Sequence, residues 1–111
     1  MLDSNIGLND PAEEIYKFIQ KKGIDTPKSL QTQEERDKII GKLMLVITEI
    51  SEATEAIRNN DFDNFKKEMA DTFIRLLDIC GAMSIDIELE IYKKMKINEH
   101  RPERNEKQCS L

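Results

Sequence analysis

A chain of 111 residues supports one domain with a modest core, one that self-association would help to stabilise. Charged residues make up 35% and aromatics 5%, with three prolines and four glycines, a balance that suits long solvated helices better than a sheet and makes an all-α fold the expectation. Lys plus Arg number 17 against 22 Asp plus Glu, and the resulting charge of −5 argues against a basic nucleic-acid-binding surface.

Residues 1–9 are polar and read as a loose segment, after which Asp10-Pro11-Ala12-Glu13 places an N-cap, a proline at the first helical position and an acid in the first turn. Ile15, Phe18 and Ile19 form the apolar stripe of this first helix, and Gly23 is its stop. Residues 24–31, with Pro27, read as a connection. Thr32-Gln33-Glu34-Glu35 forms a capping box, and apolar residues at 39, 43, 46, 50, 53 and 57 then alternate steps of four and three. That spacing predicts a long amphipathic helix ending near Arg58, with Gly41 inside it marking the close approach of a neighbour.

Asn59-Asn60-Asp61 supplies a turn, and Phe62, Phe65, Met69, Thr72, Leu76, Leu77 and Cys80 set the stripe of a third helix that Gly81 closes or kinks. Ser84 is the predicted cap of a fourth helix carrying Ile87, Ile91, Met95 and Asn98, bounded by Pro102. The aromatics Tyr16, Phe18, Phe62, Phe65, Phe73 and Tyr92 read mostly as core by spacing. The expected architecture is therefore a compact bundle of four main helices spanning residues 10–102, followed by a polar tail at 103–111. Cys80 and Cys109 suggest no disulfide framework, and the longest apolar run, Leu43 to Ile47, is too short for a membrane span or a signal peptide. A reducing cytoplasm is the expected location.

Four carboxylates are placed symmetrically about the central turn. Glu49 and Glu52 lie eleven and eight residues before Asn60, and Glu68 and Asp71 lie eight and eleven after it. If the flanking helices fold back at the turn, equal chain distance becomes equal height, so Glu49 faces Asp71 and Glu52 faces Glu68. Acids three residues apart share a helix face, so all four converge, and their repulsion opposes folding unless a cation sits among them. Small neighbours, Ala53, Ala56 and Ala70, leave room for an ion. An all-oxygen donor set favours Mg²⁺, with Mn²⁺ possible, whereas His100, the only histidine, leaves zinc without its usual ligands. His100 itself reads as an exposed side chain. Lys94, Asn98 and Arg101 share one face of the last helix, an arrangement that fits either a phosphate-binding trio or a basic helix end complementing the macrodipole.

Taken in order, Glu49-Ile50-Ser51-Glu52, Glu68-Met69-Ala70-Asp71 and the Lys94 to Pro102 stretch resemble the MazG-like members of the all-α nucleoside triphosphate pyrophosphohydrolases, over roughly residues 36 to 102. The resemblance implies a homodimer or homotetramer that binds Mg²⁺ through Glu49, Glu52, Glu68 and Asp71. The same resemblance implies hydrolysis of a nucleotide between the α and β phosphates, with Glu49 or Glu52 activating water and Lys94, Asn98 and, more weakly, Arg101 contacting the substrate. Many members carry adjacent glutamates at the start of the first motif; here Thr48 precedes Glu49, which leaves open the number of ions and which carboxylate takes the proton. A pyrophosphohydrolase for a specialised substrate, such as phosphoribosyl-ATP or a single deoxynucleotide, and a non-catalytic helical interaction module are the alternatives.

Overall fold

The computed structural model describes residues 7–100. They form four helices, α1 (Asn9–Lys21), α2 (Gln33–Arg58), α3 (Phe62–Ala82) and α4 (Ile87–Glu99), with no strand among the described residues. Arg101, Pro102, Cys109 and the 103–111 tail lie outside the described residues, as does most of the segment predicted to be loose at 1–9. No helix of the described residues is long and apolar enough to cross a membrane.

Three of the connections are built the same way. At the end of α1 the amide of Gly23 donates to the Gln20 carbonyl and that of Ile24 to Ile19, with Gly23 at φ 85°. At the end of α2, Asn60 donates to Ile57 and Asp61 to Ala56, with Asn60 at φ 56°. At the end of α3, Ser84 donates to Gly81 and Ile85 to Cys80, with Ser84 at φ 52°. Each is a left-handed residue closing the last turn so that otherwise unpaired carbonyls are satisfied, and between α2 and α3 the chain reverses within a few residues. Glycine does this without strain, and asparagine tolerates it better than most residues do. Asp61 then caps α3 by accepting from the Asn64 amide, so the α2–α3 turn is specified from both sides.

These caps correct two expectations. Ser84 does not start α4; it ends α3, and Asp86 is the N-cap, accepting from the Leu89 amide. Asp10 does not cap α1, whose helix begins one residue earlier at Asn9 with no side-chain cap. The Thr32/Glu35 capping box forms as predicted. Ser29 also donates to Glu35, and this bond, ahead of those from the Thr32 region, holds the Glu35 carboxyl below its ordinary range.

Packing centres on α3, against which α1 and α2 both lie. Its contact with α1 explains Gly81. A Cβ there would collide with the Ala12 carbonyl oxygen and lie 2.9 Å from Tyr16 Cβ, so this glycine neither ends nor kinks the helix but lets α1 approach. Gly41, expected to serve that purpose, has nothing within 4 Å of its notional Cβ. On α2 the buried row is Ile39, Val46, Glu49, Ala53 and Ala56, one edge of the predicted stripe, while Leu43, Ile50 and Ile57 are exposed. On α3 the row is Glu68, Thr72, Asp78, Ile79 and Ala82, leaving Met69, Leu76 and Phe62 exposed. The small residues of both rows let the helices meet closely, and the bulky ones point elsewhere. The aromatics follow suit: Phe18, Phe62 and Phe73 are exposed, with Lys22 and Lys66 lying 5.3 and 5.1 Å above the Phe18 and Phe62 rings.

Helix α4 is attached mainly through its first turn. Glu88 accepts from the amides of Leu8 and Asn9, and the Asn9 side chain donates to Asp86. The Asn9 bond is the main reason that the Asp86 carboxyl lies below its usual range. Beyond that turn no residue of α4 is buried.

Candidate metal centre

The left-handed turn at Asn60 sends α3 back along α2, and the buried rows of the two helices carry acids into their contact. Glu49, Glu68 and Asp71 each offer an oxygen within 4.8 Å of those of the others. Glu49 and Glu68 are buried and Asp71 is exposed. Glu52, exposed on α2, lies beside Glu68, and its carboxylate is the main cause of the raised pKa of Glu68, ahead of burial and of Glu49; together they push Glu68 from its ordinary 4.5 up to about 7. Glu68 thus shares its surroundings with both acids of α2, and its Oε2 is buried without a hydrogen-bond partner.

Such a group could be completed by a cation. A buried carboxylate oxygen with no donor is destabilising unless something positive completes it, and three hard oxygen donors, with a fourth acid alongside, suit a small divalent ion better than zinc or copper. The residues present therefore fit Mg²⁺ or Mn²⁺.

Two cations pair with buried acids in this region, Arg75 with an acid of the cluster and Lys42 with Asp78 outside it, and neither is marked by the sequence motifs. Arg75 Nε donates to Glu49 Oε1 at 3.2 Å. Lys42 Nζ lies 3.7 Å from Asp78 Oδ2, an oxygen that also accepts from the Thr26 hydroxyl at 2.7 Å. Thr26 is 1% exposed, so the α1–α2 connection is pinned to α3 through a buried acid. Helical spacing could have revealed Arg75, which follows Asp71 by four residues and Glu68 by seven and so shares their face. Nothing local marks Thr26 as its partner's counterpart, since 52 residues separate it from Asp78.

Of the substrate-binding trio predicted on the last helix, Lys94 and Asn98 lie on α4. Lys94 is exposed and Asn98 half-buried, and among the described residues neither is joined to the four acids by a hydrogen bond or ion pair. Arg101 lies outside the described residues.

No curated protein and no solved structure matches this chain significantly. A family model does: the MazG nucleotide pyrophosphohydrolase domain matches residues 41–104, a span that contains most of α2, all of α3 and α4, and all four acids. With more than half of its length matched and its carboxylates converging across that hairpin, the chain belongs to the MazG nucleotide pyrophosphohydrolase domain family.

Proposed function

We propose that this protein is a Mg²⁺-dependent pyrophosphohydrolase that cleaves a (deoxy)nucleoside triphosphate between the α and β phosphates, releasing the monophosphate and pyrophosphate. The observation that carries the reading is the meeting of Glu49, Glu68 and Asp71 within 4.8 Å around a buried carboxylate oxygen that has no donor. In this reading Glu49, Glu52, Glu68 and Asp71 hold the cation, Mn²⁺ being able to substitute. When bound, the ion would link the anionic substrate to an otherwise repellent acidic pocket and polarise the scissile phosphate and an attacking water.

The chain's own groups divide the remaining work. Glu49 is buried and tied through Oε1 to Arg75, which suits it to a fixed binding role. Glu52 is exposed and has no cationic partner among the described residues, so it is the better candidate to accept the proton of the attacking water. Asp71, also at the solvent side, completes the set. Lys94 and Asn98, with Arg101, would bind phosphates or sugar.

Self-association as a homodimer or homotetramer belongs to the same proposal. It is supported by the apolar side chains that α2 exposes, among them Ile40, Met44, Ile47, Ile50 and Ile57, and by the lack of any buried residue on α4. A second copy packed there would give α4 a surface to cover. The substrate is taken to be a nucleotide rather than a nucleic acid, consistent with the charge of −5, and the location cytoplasmic.

The test is pyrophosphate release from a panel of nucleotides with Mg²⁺, run on the wild type, Glu52→Gln and Asp71→Asn. Both variants are expected to keep the helical fold and lose turnover. Undiminished release in both would remove these residues from the mechanism, and release confined to one nucleotide would identify a specialised member of the family.

A further inference from the structure

Arg75 stands at the edge of the acidic centre with its positive charge directed at one of the acids. Its Nε donates to Glu49 Oε1 at 3.2 Å, and with the Glu49 side chain 11% exposed and that of Arg75 39% exposed, solvent screens the contact only in part. Arg75 also lines a small cavity of about 70 Å³ with Ile19, Ile24, Lys42 and Asp78. Apolar walls there keep the aliphatic stem in place. Lys42, the other cation of that cavity, is taken up by Asp78, and Glu49 is the carboxylate to which Arg75 is bonded.

We propose that Arg75 is a resident counter-ion of the carboxylate cluster that competes with a divalent cation for Glu49 and thereby keeps the affinity for the free cation low. The proposal rests on the metal-site reading above. A guanidinium bonded to Glu49 relieves part of the mutual repulsion of the acids, but the same charge repels a divalent ion that needs the same carboxylate. A cation that arrives already bearing nucleotide phosphates brings negative charge that the guanidinium can meet with its remaining donors. The site is thereby biased toward the cation–nucleotide complex over the bare ion. Arg75 is a positioning residue in this account, acting through Glu49.

The discriminating measurement is calorimetric titration of the folded protein with Mg²⁺ alone, no nucleotide present, on the wild type, Arg75→Gln, Arg75→Met and Arg75→Lys. Removing a unit charge so close to a divalent site is expected to tighten Mg²⁺ binding about tenfold in both neutral variants. Arg75→Met keeps an aliphatic stem against Ile19 and Ile24 should Arg75→Gln fold poorly. Arg75→Lys, which keeps the charge, is expected to stay within about threefold of the wild type. If the wild type binds Mg²⁺ and the neutral variants bind it equally or more weakly, Arg75 merely orients Glu49 and the counter-ion proposal is overturned while the metal site stands. If no variant binds Mg²⁺, both fall.

Discussion

Glu68 gives the most direct handle on the centre, because its carboxyl is pushed up to about 7 by Glu52, by burial and by Glu49. A ligand that carries a proton must release it before a cation can bind. With a pKa of about 7, Glu68 is roughly nine-tenths protonated at pH 6 and about one-tenth protonated at pH 8, so the apparent Mg²⁺ affinity should fall about tenfold between pH 8 and pH 6. Near pH 7 about half a proton should leave per ion bound, a quantity read by repeating the titration in buffers of different ionisation enthalpy. Stability without added metal follows with a definite sign. The folded value lies above the ordinary 4.5, so the folded chain holds this proton more tightly than the unfolded one. The stabilising contribution is present in full below pH 4.5 and is lost as the pH rises through about 7. Glu68→Gln, permanently neutral, removes the effect. Its melting midpoint without metal should match that of the wild type near pH 4.5 and exceed it by pH 8. A flat Mg²⁺ affinity from pH 6 to pH 8, or the same slope in Glu68→Gln, would refute the assignment of that proton to Glu68.

Two further outcomes test how the bundle holds the centre in place. Gly81→Ala forces a methyl group into the Ala12 backbone and Tyr16; overpacking of this kind costs about 1–3 kcal/mol against a helix-propensity gain of about 1 kcal/mol. The melting midpoint should therefore drop, whereas Gly41→Ala, with open space around it, should raise the midpoint; equal responses would show that the α1–α3 contact is not close at Gly81. Thr26→Val keeps the shape but deletes the hydroxyl that Asp78 accepts from, and is expected to destabilise by about 1–3 kcal/mol in urea unfolding, since the buried carboxylate loses a donor. A change within error would mean that Lys42 alone satisfies Asp78.

Much of this protein is legible in its sequence, and the reason is that the signals concerned are local. Helix starts such as Thr32 with Glu35, the stop at Gly23 and the turn at Asn59-Asn60-Asp61 depend on hydrogen bonds between residues a few positions apart. The mirror spacing of Glu49, Glu52, Glu68 and Asp71 needs only a tight reversal at Asn60 to become proximity. Where a local pattern admits two solutions, the tertiary structure decided. Ser84, the expected cap of α4, is taken by the closing turn of α3, and Asp86 caps α4 in its place. The apolar stripe of α2 is broad, and contact with α3 selected the edge with Glu49, Ala53 and Ala56, leaving Leu43, Ile50 and Ile57 outside. By sequence Gly41 reads as the site of close approach and Gly81 as a stop or kink, and the position of α1 reverses this, leaving Gly41 open and Gly81 crowded. The pairings of Arg75 with Glu49 and of Thr26 with Asp78 join residues 26 and 52 positions apart. Such relations depend on how whole helices dock, and docking is set by the summed shape and charge of their faces, which no short window of residues contains.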